Sequence, residues 1–226
     1  AAGEYAARTA EQNTQTGQSE QTASEVSGAS ETSAQQMAEE ASVIVTMPVT
    51  SEPEAGFDPV YGWGAGEHVH EPLIQSTLTT TTADLEIGMD LAVDYAYFTD
   101  GEKLTASDVA FTYNLCAENS SVNDFTMLES AVAVDDVTVE FHMNRPFSIW
   151  PYTMAIVGIV PEHAYDENYG SNPIGSGRYI LRQWDRGQQV ILEANPDYYG
   201  GEVKMKRVTV LFMEEDAALA AAMAGQ

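Results

Sequence analysis

The sequence predicts an α/β fold in which a mixed β-sheet is flanked by helices. Short runs rich in β-branched residues recur along most of the chain, as expected for strands. Between two groups of these runs lies a segment with a helix-capping signal and apolar residues at helical spacing. Hydrophobic residues make up 44% of the 226 residues, so the chain can bury a sizeable core in one large or two small domains.

Residues 1–42 differ in composition from the rest of the chain. They are rich in Ala, Ser, Thr, Gln and Glu, and Tyr5 is their only aromatic residue. Such a segment cannot bury enough apolar surface to offset the entropy that is lost when the chain is ordered. We therefore predict a disordered linker over 1–42 and a folded body over 43–226.

The first elements of the folded body follow from local patterns. The β-branched run 43–47 ends at a proline and predicts the first strand. Pro72 is suited to the first turn of a helix, and the apolar residues after it have helical spacing, which predicts a short helix over 71–78. Short strands are predicted over 83–88 and 91–97.

The next segment carries a clear helix signal. Asp100-Gly101 is a turn dipeptide, and Thr105 stands three residues before Asp108, so a hydroxyl can cap a helix that has an acid in its first turn. This pattern predicts a helix over 106–118. The later predicted elements are, in chain order, a helix over 124–130, a hairpin of strands over 131–134 and 137–143, a helix over 148–155, a strand over 157–160, a hairpin of strands over 178–183 and 189–193, a strand over 208–213 and a helix from Glu215.

The charge of the chain limits its partners. Thirty-five acids against nine bases give a net charge of −26, which would repel phosphate groups and argues against binding to nucleic acid or an anionic membrane. Cationic or zwitterionic ligands would be attracted, although an acidic surface also serves solubility alone. The single cysteine, Cys116, allows no internal disulfide, and its apolar helix face favours a buried hydrophobic role over that of a nucleophile.

Two stretches carry a family resemblance. They are FTDGEKLTASDVAFTY, from Phe98 to Tyr113, and NPIGSGRYILRQWDRGQQVILEANPDYYGG, from Asn172 to Gly201. Together they resemble family 5 of the extracellular solute-binding proteins, which serve ABC importers of oligopeptides, dipeptides and nickel chelates. The resemblance covers about 43–226 in order. It implies a periplasmic-binding-protein-like fold of type II, with only the first lobe present.

The resemblance also has two departures. Family members have a strand pair of hairpin size that this chain lacks between Tyr95 and Phe98. They also continue past a triplet similar to Ala224-Gly225-Gln226 into a second lobe and then return to the first. We therefore expect the second lobe and the C-terminal return to be absent from this chain.

The resemblance implies a binding function without catalysis. Such a protein captures a peptide or a nickel or other metal chelate outside the membrane, closes two lobes around it and delivers it to an ABC permease. It implies a monomer that needs no cofactor and is either periplasmic or a lipid-anchored protein of the cell surface. The sequence itself contains no apolar run long enough to span a bilayer and no signal segment at its start.

The resemblance places the ligand cleft at a loop within 57–78, which offers flat aromatic surface, flexible backbone and a titratable donor. The residues predicted to line this part of the cleft are Tyr61, Trp63, Gly64 and His68. A second predicted part consists of Arg145, Trp150 and Tyr152. An isolated arginine in so acidic a chain could bind a ligand carboxylate bidentately. The alternatives are that Trp63 only packs the loop onto the lobe and that Arg145 forms a surface ion pair.

The sequence EHVHE suggests a competing function. His68 and His70, with acids on both sides, could serve a secreted metal-dependent hydrolase. A zinc-binding helix requires histidines four residues apart, whereas alternate residues converge only on a strand, so the spacing disfavours a catalytic metal. We predict no metal ligands and no catalytic residues. A truncated lobe without any binding function is the third alternative.

Overall fold

The computed structural model describes residues 41–61, 72–91, 96–120 and 123–224. The chain divides into the units Ala1–Glu40 and Ala41–Gln226, and all described residues belong to the second unit. The predicted linker lies outside the described residues, apart from its last two positions. The second of these, Ser42, opens the first strand.

Groups of two or three strands alternate with single helices along the described chain, in keeping with the predicted α/β class. In chain order they are β1 (Ser42–Pro48), β2 (Thr79–Thr81), β3 (Ile87–Met89), α1 (Ala106–Asn119), β4 (Leu128–Asp135), β5 (Thr138–Met143), α2 (Trp150–Met154), β6 (Tyr179–Asp185), β7 (Gln189–Ala194), β8 (Arg207–Met213) and α3 (Glu215–Ala224). Short 3-10 turns cover Val49–Ser51, Glu162–Ala164 and Tyr169–Ser171. The predicted first strand, both hairpins, the last strand and the last helix are confirmed. Among these helices, none has both the length and the apolar character needed to cross a bilayer.

A mixed sheet of four strands has the order β1-β8-β7-β6. β1 and β8 run parallel, with Ser42 opposite Arg207 and Pro48 opposite Met213, whereas the other neighbours are antiparallel. The sheet packs on an apolar cluster whose buried members are Phe57, Ile74, Tyr179, Val190, Leu192 and Phe212. The predicted mixed sheet is therefore confirmed, and its parallel pair places the carboxyl ends of β1 and β8 side by side.

α1 and the β4–β5 hairpin enclose a second core around the fully buried ring of Tyr113. This ring lies edge-on to Phe141, with centroids 4.9 Å apart, and 5.5 Å from the ring of Trp150. α1 begins as the capping signal predicts. Asp108 Oδ2 accepts hydrogen bonds from the backbone N–H of Thr105 at 2.9 Å and from its hydroxyl at 3.0 Å. The predicted capped helix is therefore confirmed.

The helix predicted over 71–78 is wrong, because the described part of that segment bends without forming one. The Leu73 carbonyl accepts a hydrogen bond of 3.0 Å from the Tyr179 N–H, and the Ile74 carbonyl accepts one of 2.8 Å from the Gly177 N–H. Both carbonyls accept hydrogen bonds from the segment that enters β6, so they do not accept the i to i+4 hydrogen bonds of a helix.

The helix predicted over 124–130 is also wrong. The Asp124 carboxylate accepts hydrogen bonds from the Thr126 backbone N–H at 2.9 Å and from its hydroxyl at 2.6 Å, which makes a turn ahead of β4. The segment 157–160 is not a strand as predicted. It makes a single backbone bond to the 72–78 segment, from the Ile159 N–H.

The short strands between the first loop and α1 are only partly as predicted. Of the strand predicted over 83–88, only the end belongs to β3, and the start forms the β2–β3 turn. Of the strand predicted over 91–97, residues 92–95 lie outside the described part. Tyr97 forms an isolated bridge with Lys103. The chain between Leu91 and α1 therefore contributes no regular strand among the described residues.

Candidate functional site

A polar pocket of about 470 Å³ lies beside the loop that leaves the carboxyl end of β1. In open α/β sheets, ligands bind outside the carboxyl ends of the strands, which makes this location a candidate site. The segment after α2 and the β6–β7 turn complete the pocket. Its lining residues are Glu54, Ala55, Asp58, Tyr61, Tyr165, Asp166, Glu167, Gly170, Ser171 and Arg186. We call it the β1-loop pocket.

The loop after β1 is fixed to the β6–β7 turn by Glu52. Its carboxylate accepts hydrogen bonds of 2.8 Å from Trp184 Nε1 and 2.7 Å from the backbone N–H of Gly187. The Trp184 ring also meets the ring of Phe57 edge-on, with centroids 5.2 Å apart. These contacts hold the loop in one position, so the side chains that it carries into the pocket are preorganised.

A close glycine contact joins the same loop to the segment behind the pocket. The Phe57 N–H donates a hydrogen bond of 2.7 Å to the Gly170 carbonyl. Gly56 has a φ of 76°, and a Cβ on it would lie 2.2 Å from that carbonyl oxygen. Only glycine fits at this approach, because any side chain would clash and would also strain the backbone.

Asp58 is the buried acid of the pocket, with 5% of its surface exposed. Its carboxylate accepts hydrogen bonds of 2.9 Å from the Val60 N–H and 2.7 Å from the Tyr165 hydroxyl. Burial raises the pKa of Asp58, and the two hydrogen bonds oppose that rise. The pKa of Tyr165 is raised as well, through burial and the neighbouring carboxylate. The pair therefore favours a single negative charge, which the Asp58 carboxylate carries while the Tyr165 hydroxyl stays neutral.

Behind this pair, a second tyrosine is held by a side-chain amide. Gln75 Nε2 donates to the Tyr169 hydroxyl at 3.1 Å and to the Phe57 carbonyl at 3.0 Å. The Tyr169 hydroxyl donates in turn to the Ile174 carbonyl at 2.7 Å. The rings of Tyr165 and Tyr169 lie 5.0 Å apart. This network supports the tyrosine side of the pocket.

The β1-loop pocket carries more acids than bases. Glu54, Asp58, Asp166 and Glu167 line it, against a single base, Arg186. The guanidinium of Arg186 lies 4.1 Å from the centre of the Trp184 ring, which orients it by a cation–π contact. Such a pocket suits a positively charged group and offers one site for a carboxylate.

The structure places one predicted site residue in this pocket. Tyr61 lines it and is 48% exposed. Trp63, Gly64 and His68, together with His70, lie outside the described residues. Within the described part of the chain, no group of three or more His, Cys, Asp or Glu side chains could hold a metal ion.

The second predicted set lies elsewhere, and none of its members lines the β1-loop pocket. Arg145 is exposed, and its Nε donates to the sulfur of Met127 at 2.8 Å. The ring of Trp150 is only 8% exposed and packs in the core beside Tyr113. Tyr152 is 45% exposed at the surface of α2. The structure therefore separates this set from Tyr61 and places Trp150 in the core.

The sequence analysis missed Asp58, Tyr165 and Arg186. Asp58 was recognisable as an acid before a proline in the loop after the first strand, where α/β folds place ligands. Its pairing with Tyr165 spans 107 positions, so no local pattern could reveal it.

Comparison with known proteins relates the chain to a family. The sequence profile of the bacterial extracellular solute-binding proteins, family 5 Middle, matches residues 93–226. The probable D,D-dipeptide-binding periplasmic protein DdpA of Escherichia coli is 34% identical over 136 residues, which are 55% of this chain and 26% of that protein. The oligopeptide-binding protein AppA of Bacillus subtilis is 30% identical over 187 residues, or 69% of this chain and 34% of AppA. The chain thus spans about a third or less of these two relatives.

Solved structures share the fold. NikZ from Campylobacter jejuni, in complex with Ni(L-His), matches with a TM-score of 0.71 and 22% identity over 82% of this chain and 42% of NikZ. AppA from Bacillus subtilis, in complex with a nonapeptide, matches with a TM-score of 0.67 and 26% identity over 81% of this chain and 43% of AppA. The predicted α/β lobe of the type II periplasmic-binding-protein fold is therefore confirmed.

Proposed function

This chain belongs to the bacterial extracellular solute-binding proteins of family 5, and we propose that it forms the ligand-binding first lobe of an ABC importer's receptor. In this proposal the receptor captures a peptide or a metal chelate outside the membrane and delivers it to a permease. The observation that carries the proposal is the β1-loop pocket, which combines a preorganised loop, an exposed tyrosine and a buried carboxylate at the carboxyl end of β1. A second lobe would close over this surface.

The chemistry of the pocket favours ligands with an ammonium or guanidinium group. Asp166 and Glu167 are exposed, and the buried Asp58 lines the same pocket. A peptide offers an N-terminal amine, and a divalent metal ion chelated by one amino-acid anion keeps a net positive charge. AppA has a bound nonapeptide and NikZ has bound Ni(L-His), so ligands of both kinds occur in proteins similar to this chain.

The predicted site residues take different roles in this proposal. Tyr61 contacts the ligand, and we propose the same role for Trp63, Gly64 and His68. Arg145 and Tyr152 contact only a ligand long enough to reach beyond the pocket. For Trp150 we propose a packing role in place of ligand contact, because its ring lies among those of Tyr113, Phe125 and Phe141.

The proposal describes a binding protein without a catalytic step or a resident cofactor. The receptor works as a monomer outside the cytoplasm, either periplasmic or held at the cell surface by a lipid anchor. The net charge of −26 on these 226 residues disfavours nucleic acid as a partner. Ligand contacts that form only in the closed state would shift the two lobes toward closure, and the closed state would be the form that the permease recognises.

Titration of the 226-residue chain with short peptides, followed by NMR chemical shifts, tests the proposal. Tri-lysine and tri-alanine should shift the amide signals around Tyr61, and tri-lysine should do so at lower concentration. The variant Glu167→Gln should weaken the response to tri-lysine, whereas Asp197→Asn, an exposed acid outside the pocket, should not. An equal response to tri-glutamate, or shifts confined to other surfaces, would overturn the assignment of the pocket.

A further inference from the structure

Arg186 is the single base among the described residues that line the β1-loop pocket. It lies in the turn between β6 and β7, which is closed by a hydrogen bond of 2.9 Å from the Gln188 N–H to the Asp185 carbonyl. Gly187, the next residue, has a φ of 73° and supplies the left-handed position that such a turn needs. The turn therefore fixes the backbone of Arg186 beside the pocket.

The guanidinium of Arg186 is oriented by two neighbours. It lies over the Trp184 ring, 4.1 Å from its centre, and its Nη2 lies 3.5 Å from the Ser171 hydroxyl oxygen. A guanidinium carries five N–H donors in one plane. The contact with Ser171 uses one of them, so the other donors can bind an acceptor on a ligand.

Within the described part of the chain, Arg186 forms no ion pair with an acid. The Glu52 carboxylate is close by, but it accepts hydrogen bonds from two uncharged donors, Trp184 Nε1 and the Gly187 N–H. Arg182, four residues earlier, pairs with Glu193 at 2.8 Å. In a chain with 35 acids and nine bases, a shortage of acids does not explain the unneutralised guanidinium.

The charges around Arg186 restrict the group that it can bind. Glu54, Asp166 and Glu167 line the same pocket, and so does the buried carboxylate of Asp58. These acids would repel a ligand that has negative charge alone, and they would repel a doubly charged phosphate more than a carboxylate. A cationic group on the same ligand offsets this repulsion because it pairs with the acids. The pocket therefore suits a zwitterion with one carboxylate.

The size of the pocket limits the distance between the two charges of such a ligand. Its volume of about 470 Å³ corresponds to a mean width of roughly 8 Å, and an extended chain advances about 3.5 Å per residue. A peptide of two or three residues can therefore place both of its charged termini in the pocket. An extended peptide of greater length cannot.

We propose that Arg186 is a specificity-determining residue that binds the free carboxylate of a short zwitterionic ligand, while the acids of the pocket bind its cationic group. The inference rests on the proposed function and narrows it, since a ligand with an amine but a blocked carboxyl end binds less tightly. A planar guanidinium donates two parallel hydrogen bonds to one carboxylate, which a lysine ammonium cannot do.

Tri-alanine and tri-alanine amide test this inference, because they differ only at the carboxyl end. Tri-alanine has no net charge near pH 7, whereas the amide carries one positive charge. Long-range attraction to a chain with a net charge of −26 favours the amide. Tri-alanine should nevertheless bind the 226-residue chain at least about threefold more tightly, because only tri-alanine can pair with Arg186. The measurement is an NMR titration of the amide signals around Tyr61.

Two variants show whether Arg186 causes the preference for tri-alanine. Arg186→Gln should reverse the preference, because the attraction of the amide to the acids then remains without competition. Arg186 is exposed, so this variant should keep the dispersed spectrum of the folded chain. The matched control is Arg182→Gln, since Arg182 is an exposed arginine of β6 that does not line the pocket. It should keep the wild-type preference.

The outcomes separate this inference from the proposed function. A preference for tri-alanine that is lost in Arg186→Gln and kept in Arg182→Gln supports the role of Arg186. Equal or tighter binding of the amide to the wild type, with shifts still around Tyr61, overturns that role and leaves the proposed function standing. A preference that persists in Arg186→Gln overturns it as well. If neither peptide shifts the signals around Tyr61, the proposed function is overturned, and this inference with it.

Discussion

The Tyr165 hydroxyl donates a hydrogen bond of 2.7 Å to the Asp58 carboxylate, and this contact joins the loop after β1 to the segment after α2. Asp58 is almost fully buried, so water cannot replace the bond if it is lost. The pair therefore has two consequences. It stabilises the pocket wall, and it influences the charge of the acid that lines the pocket.

Tyr165→Phe should destabilise the fold by about 1.5–3 kcal/mol, the range for hydrogen bonds to charged groups. Burial raises the folded-state pKa of Asp58 above its unfolded value, so the ionised acid lowers stability at neutral pH, and protonation relieves this as the pH falls. Because the hydrogen bond from Tyr165 favours the ionised form of Asp58, the cost of Tyr165→Phe should be larger near pH 7 than near pH 4. Urea unfolding at both values checks this, with the half-exposed Tyr97→Phe as control. An equal cost at both values would contradict it.

Glu52→Ala should loosen the loop that carries Tyr61. The substitution removes the acceptor for Trp184 Nε1 and for the Gly187 N–H, and we expect a loss of about 1–3 kcal/mol in the free energy of unfolding. The control is Glu54→Ala, a neighbouring exposed acid that should change stability by less than about 0.5 kcal/mol. Equal stability of the two variants in urea unfolding would show that Glu52 does not anchor the loop.

Trp150→Ala should act on folding, because its ring packs on those of Tyr113, Phe125 and Phe141. Truncating a buried tryptophan costs about 3–5 kcal/mol. Tyr152→Ala, two residues further along α2 but half exposed, should cost less than about 1 kcal/mol. Thermal unfolding of both variants is the measurement. A Trp150→Ala protein as stable as the wild type would contradict the packing role and favour ligand contact for this residue.

Local patterns were sufficient for the elements that depend on neighbouring residues. The capping residues Thr105 and Asp108 located α1, and the predicted hairpin over 131–134 and 137–143 corresponds to β4–β5. The sequence failed where distant bonds decide the backbone. The Leu73 carbonyl accepts a hydrogen bond from the N–H of Tyr179, more than 100 positions away. No periodicity near Leu73 predicts that bond.

The candidate site shows the same limit. Tyr61 was predicted because the resemblance placed the cleft at its loop, and the structure brings it to the β1-loop pocket. Tyr165 and Arg186 reach that pocket from segments more than 100 positions away. Only the folded chain brings these groups together. Trp150 was predicted from residue type alone, which does not distinguish a core ring from a ligand contact.

His163 should titrate above its ordinary range. Its Nε2 lies 2.8 Å from Asp100 Oδ2, and this contact raises the pKa of His163 and lowers that of Asp100. The nearby charges of Asp108 and Glu102 add to the rise for His163. The histidine thus contributes stability that is fully present below its unfolded pKa of about 6.5 and is lost as the pH rises through the folded value. Asp100 contributes stability above its unfolded pKa, and this is lost as the pH falls through its lower folded value.

The His163–Asp100 contact is solvent-exposed, so its contribution should stay within the range of about 0.2–1 kcal/mol found for exposed pairs. NMR titration of the histidine ring should give a pKa for His163 above the ordinary histidine value. Asp100→Asn should lower the pKa of His163 toward the ordinary value. A His163 pKa that does not respond to this substitution would refute the pairing.

The affinity of the chain for peptides should be weak when it is measured without a second lobe. A receptor that closes on its ligand makes contacts from both lobes, so one lobe supplies about half of the favourable free energy, while the full loss of translational and rotational freedom remains. That loss amounts to several kcal/mol, so halving the favourable part should move the dissociation constant to about 1 mM or weaker. Calorimetry of the 226-residue chain with tri-lysine and with nickel–histidine is the measurement. Micromolar binding by this lobe alone would show that the β1-loop pocket is a complete site, and that a second lobe adds closure without adding affinity.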